Sequence, residues 1–163
     1  MEHDSAHDVE LYLLEVFNIL FEHEVRKSRR YEYPVSVICI AIEAEPDTLQ
    51  TRHAAELIAI NAFDVELRDS DVPCRDGHEF LILLPSTDEK SAHHACKRLE
   101  RALNSTSQTT DGAAFQVSAY IGLASNDEDL SLTPKQLLEL VRHALNQARA
   151  KRSLTTVLAS TLK

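Results

Sequence analysis

The stretch from Arg68 to Leu84 constrains this chain more than any other. It reads Arg-Asp-Ser-Asp-Val-Pro-Cys-Arg-Asp-Gly-His-Glu-Phe-Leu-Ile-Leu-Leu, with Pro85 directly after it. An Asp-Gly step between two strand-like runs is a strong hairpin signal, because glycine enters the left-handed turn region at little cost. Residues 72–75 and 79–84 are therefore expected to pair as neighbouring strands, with the turn at Asp76-Gly77-His78. The second run is apolar from Phe80 to Leu84 and reads as a buried strand. A turn of this kind projects backbone and a few side chains off a rigid sheet, where sites are commonly built.

Composition excludes several classes around this hairpin. At 163 residues the chain has the length of one domain and can bury a real core. The net charge of −9 opposes binding to a nucleic-acid polymer, which needs a dominant basic surface. Only three glycines are present (Gly77, Gly112, Gly122), so neither a Gly-rich phosphate loop nor a dinucleotide fingerprint can be written. Cys39, Cys74 and Cys96 stand at unrelated spacings and give neither a disulfide framework nor a zinc pattern. With an acidic, polar start and no long apolar run, a cytoplasmic setting away from membranes is expected.

Periodicity supplies the remaining elements. Residues 8–31 read as a helix, with Val9, Leu13, Val16 and Leu20 at spacings of three and four, flanked by Tyr12, Phe17 and Phe21. That wide stripe is suited either to packing on the domain or to pairing with a second copy. Arg26, Lys27, Arg29 and Arg30 crowd its last turn, where cations suit the negative end of a helix. Residues 35–43 form a β-branched apolar run, hence a central strand. Residues 51–67 read as a helix with Ala55, Leu57, Ile58, Ile60, Ala62, Phe63 and Leu67 turned mostly inward. After the hairpin, Ser86 or Thr87 can cap a helix whose buried stripe is Ala92, Ala95, Cys96, Leu99 and Leu103. Residues 104–112 read as polar loop and 114–125 as a half-buried strand. Thr133-Pro134 opens a last helix in the cap-then-proline order, and a short strand at 154–158 ends the pattern. The expected fold is an α/β domain of two or three layers, with a mostly antiparallel central sheet flanked by helices. Residues 1–31 stand before it as an N-terminal helix for dimerisation or linkage, and residues 32–163 form the domain.

In their order and spacing these segments resemble a GGDEF domain of the diguanylate cyclase family. Arg68-Asp-Ser-Asp71 resembles the family's RxxD motif, Val72-Pro-Cys-Arg75 the run into its signature hairpin, and Glu79-Phe-Leu-Ile-Leu-Leu-Pro85 the strand after it. Val117-Ser-Ala-Tyr-Ile-Gly122 resembles a later strand of the family. The family joins two GTP molecules with the help of Mg²⁺, a hard cation held by carboxylate oxygens. Here the signature is altered. It reads Asp76-Gly77-His78-Glu79-Phe80, one residue short, with His78 where the resemblance implies an acid. Ala41 stands where the first strand would carry the other metal carboxylate, with Glu43 two residues on, and imidazole is a poor Mg²⁺ ligand. Arg149 matches the family's late triphosphate lysine in charge only. The expectation is therefore a non-enzyme that binds Mg²⁺ poorly and has no resident cofactor.

What the resemblance leaves intact is the family's inhibitory site for cyclic di-GMP. It implies Arg68 and Asp71 as the first two ligand residues and Arg98 as the third. A guanidinium can donate two bonds to guanine O6 and N7, a carboxylate can accept from the N1–H and N2–H edge, and a further arginine can meet phosphate. An Arg-x-x-Asp pair at a helix end is equally a local ion pair worth ~0–1 kcal/mol. Three readings are open: a cyclic di-GMP receptor, a ligand-free homodimer or partner-protein scaffold, and a GTP-binding domain with altered activity using Arg149 and Glu79. His93-His94, beside Cys96, read as solvated side chains, because adjacent helical residues point about 100° apart.

Overall fold

The computed structural model describes residues 11–104 and 108–162. Among these, four α-helices and six strands run in the order α1 Leu14–Tyr31, β1 Ser36–Glu45, α2 Leu49–Glu66, β2 Val72–Asp76, β3 Glu79–Leu84, α3 Glu89–Leu103, β4 Gln108–Thr110, β5 Ala113–Ser125, α4 Pro134–Ala150 and β6 Val157–Leu158. The strands form one sheet in the order β2-β3-β1-β5-β4, antiparallel throughout, to which β6 adds as a parallel neighbour of β5. The expected α/β architecture stands.

Strand periodicity explains why the sheet needs two covering layers. Val37, Cys39 and Ala41 of β1 face a core shared with Phe17, Phe21 and Val25 of α1 and Leu137, Val141 and Leu145 of α4. The alternate residues Ile38 and Ile40 face a second core with Ala59 and Phe63 of α2 and Cys96 and Leu99 of α3. Side chains that alternate across the pleat thus fill both cores from one strand. Burial pushes the thiols of Cys39, Cys74 and Cys96 up to about 12, so all three sit as protonated core side chains.

Several elements differ from their sequence expectation, each for a local reason. Helix α1 buries Phe17, Phe21, Val25 and Ser28, not the expected stripe. Leu13 and Val16 lie exposed, Leu20 is only partly buried, and Val9 lies outside the described residues. The aromatic series wins because the stacked Phe17–Phe21 pair carries more apolar area onto the sheet. In α2, Leu57 points outward and Ala59 inward, the latter in the core shared with Ile38 and Ile40 of β1. The cap of α3 is Asp88, whose side chain accepts from Ser91 N. Thr87 is turned inward and serves Arg68 instead.

The two Asp-Gly steps behave differently. At the first, Asp76 is already in the ladder opposite Glu79, and the loop is Gly77-His78. Gly77 has φ +62° while His78 is not left-handed, the φ pattern of a type II′ turn. The second step was expected to lie in a polar loop. It closes a hairpin between β4 and β5, with Asp111 at φ +51° and Gly112 at φ +78°, as a type I′ turn requires.

Candidate functional site

The α2–β2 connection is held by its own RxxD residues. Asp71 is buried; its Oδ2 accepts from the backbone N–H of Arg68 at 2.8 Å and its Oδ1 from Arg68 Nη2 at 3.2 Å. The same Nη2 donates to Thr87 Oγ1 at 2.5 Å and to the Pro85 carbonyl at 3.2 Å. The guanidinium is thus pinned by one nitrogen across the β3–α3 loop, and the residue lines a cavity. The side chain remains 55% exposed, so a ligand can reach it.

That cavity, about 260 Å³, is lined by Arg68 and Asp71, by Thr87, and by Ser91, His94 and Arg98 of α3. Ser91, His94 and Arg98 lie three and four residues apart and so share one helix face. Arg98 donates from Nε to Glu66 Oε2 at 3.1 Å and from Nη2 to the Glu66 carbonyl at 3.4 Å. The structure therefore brings Arg68, Asp71 and Arg98 around one opening. Sequence reasoning missed Thr87, Glu66, Ser91 and His94. The helical spacing of the α3 residues was a usable signal. Glu66 gave none, because it lies 32 residues from Arg98 in sequence.

The hairpin signature lies elsewhere. Asp76 pairs with Arg142 of α4 at 2.7 Å, a hydrogen bond that holds the guanidinium more firmly in its charged form. Glu79 sits opposite Ala41 in the ladder and meets Arg149 at 3.3 Å and Arg142 at 3.9 Å. Glu43, two residues on from Ala41, pairs with Arg152 at 3.5 Å. These three carboxylates thus already face arginines. Among the described residues no three His, Cys, Asp or Glu side chains converge on one point. Phe80 turns to the other face, against Phe63, at 5.3 Å between ring centroids. Gly77 and His78 are exposed at the tip and border a cleft of about 450 Å³, with Arg52, Glu56 and Arg75 on its wall.

Comparison with known proteins places the chain. The sequence matches the diguanylate cyclase GGDEF domain family over residues 57–154, more than half of the chain. No curated protein matches it. Among solved structures, the fold is similar to the diguanylate cyclase SiaD of Pseudomonas aeruginosa in complex with its activator SiaC, at 19% identity and a TM-score of 0.81. That match covers 91% of this chain but only 58% of SiaD. It is also similar to the GGDEF domain of DgcB from Caulobacter crescentus in complex with c-di-GMP, at 11% identity, TM-score 0.78, and coverage of 98% and 99% of the two chains. A third is the active GGEEF domain of a diguanylate cyclase from Vibrio cholerae, at 15% identity, TM-score 0.75, and coverage of 92% and 98%. At such identities these likenesses establish the fold alone.

The family match overturns the expectation of a non-enzyme. That expectation counted signature letters along the sequence and assigned each a place in a site. In the folded chain the hairpin closes with one residue fewer as a Gly77-His78 turn, and Asp76 joins the ladder. The letters therefore do not by themselves decide activity. The chain belongs to the GGDEF domain family of the diguanylate cyclases.

Proposed function

We propose that this domain is a signalling module that binds cyclic di-GMP in the cavity between the α2–β2 turn and α3. The observation that carries the reading is the convergence of Arg68, Asp71 and Arg98 on one opening, with unspent donors on both guanidiniums. An unspent donor of Arg68 can meet a guanine acceptor, O6 or N7, and the remaining donors of Arg98 can meet a phosphate oxygen. Asp71 holds the first arginine in place and completes the polar wall. A purine fits such a partly enclosed pocket, while the rest of the dinucleotide stays at its mouth.

Isothermal titration of the purified protein with cyclic di-GMP tests this reading. Binding is expected for the wild type. Arg68→Ala is expected to lose about 2 kcal/mol, near 30-fold, because a bond from a charged donor disappears. The circular dichroism of that variant should not change, since the Arg68 side chain is half exposed. No heat with the wild type sinks the proposal.

A second, compatible reading is self-association through α1. Leu13, the N-cap of this helix, and Val16 and Ile19 within it are 72%, 39% and 68% exposed. Such side chains gain by covering one another, at roughly 25 cal/mol per Å². Sedimentation analysis is expected to show a dimer that Ile19→Glu converts to monomer without loss of fold. A wild-type monomer at high concentration removes this reading.

A further inference from the structure

Arg98 does not stand free at the edge of its cavity. It is the cation at the C-terminal end of α2. Its Nη2 reaches the carbonyl of Glu66, the last residue of that helix, and its Nε reaches the Glu66 carboxylate. Helix C-termini leave carbonyls without intrahelical donors and carry partial negative charge, so a guanidinium settles there readily. The Nε/Nη2 edge is one of the forks by which an arginine takes a phosphate or a base bidentately. In this structure that fork is occupied, and only Nη1 is wholly unspent.

Resting on the cyclic di-GMP reading above, we propose that Glu66 is a positioning residue that restrains the site. It holds Arg98 against the end of α2, and the ligand must draw the guanidinium away to be gripped by its fork. Three observations support this. The pair is only partly buried, with Arg98 at 42% and Glu66 at 23% side-chain exposure, so it is weak enough for a ligand to displace. Glu66 is separated only by Leu67 from Arg68, so the residue that holds one arginine of the cavity stands two positions from the other. A carboxylate beside the cavity also opposes a dianionic ligand through charge repulsion. None of the other cavity residues performs this role: Thr87 holds Arg68, Asp71 holds the turn, and Ser91 and His94 carry no negative charge.

Affinity for cyclic di-GMP should be measured on the wild type, Glu66→Gln, Arg98→Ala and the double variant. Glu66→Gln keeps the size and the acceptor oxygen but lowers its hold on Arg98. It is expected to bind about fivefold tighter, as expected when a charge next to an ionic contact is removed. In the Arg98→Ala background the same substitution is expected to change affinity by less than about twofold, because its effect passes through Arg98. Weaker or equal binding by Glu66→Gln, beside a wild type that binds, overturns the restraint and leaves the receptor reading standing. An equal gain with and without Arg98 also overturns it, because Glu66 would then act only through the general field. Absence of binding by all four proteins removes the receptor reading and this inference together.

Discussion

Gly122→Ala is expected to lose about 3 kcal/mol of stability or more, at or beyond the top of the usual range for overpacking a core. Gly122 lies in β5, opposite Cys39 of β1, on the face that carries α4. A Cβ built there would lie 2.5 Å from Leu145 N and 2.7 Å from Val141 O, with Ala144 C at 3.0 Å. All three are backbone atoms, so no rotamer change relieves the clash; the helix axis itself must move off the sheet. That movement would loosen Leu137, Val141, Leu145 and Ala148, which are fully or almost fully buried. A domain of ordinary stability holds 5–15 kcal/mol in reserve, so this one methyl group removes a large share of it. Urea unfolding followed by circular dichroism measures the effect. A loss under 0.5 kcal/mol would show that α4 is not seated on β5 as closely as the structure has it.

Asn126→Leu is expected to cost about 2–4 kcal/mol, for a polar rather than a steric reason. Asn126 is completely buried at the end of β5. Its Oδ1 accepts from Val35 N at 2.7 Å, and its Nδ2 donates to Ser28 Oγ at 2.9 Å. Ser28 in turn donates to the Tyr33 carbonyl. One amide thus joins the last turn of α1, the entry to β1 and the exit from β5. Leucine is close to asparagine in shape but leaves the buried Val35 N–H without its acceptor, and a buried orphan donor bears its full desolvation penalty. The melting temperature should fall by roughly 5–15 °C for a chain of this size. A fall under 2 °C would mean that water replaces the amide.

These two positions show where sequence reading stops. Gly122 was legible as part of a strand, and its family resemblance was visible, but nothing in the letters Tyr-Ile-Gly-Leu says that a helix backbone crosses there. Asn126 drew no attention, because a polar residue after a strand reads as the start of a loop. Only the folded chain brings Ser28 and Val35 to it, across 98 and 91 positions. The arginines follow the same rule. Arg68 and Asp71 could be paired from their spacing, and the structure pairs them. That Arg98 spends its donors on Glu66 depends on how α2 and α3 lie side by side.

Local patterning decided what recurs every two or four residues: the fully apolar runs of β1 and β3, the hairpin between β2 and β3, and the Thr133-Pro134 start of α4. It did so because burial and turn conformation act on neighbours in the chain. Tertiary structure alone decided which of two apolar faces of α1 would be buried, and which Asp-Gly step would keep both residues in its turn. It also decided that Glu66, not solvent, would meet Arg98. In each case the local pattern allowed more than one solution. The choice fell to contacts from residues far away in sequence, which no window along the chain contains.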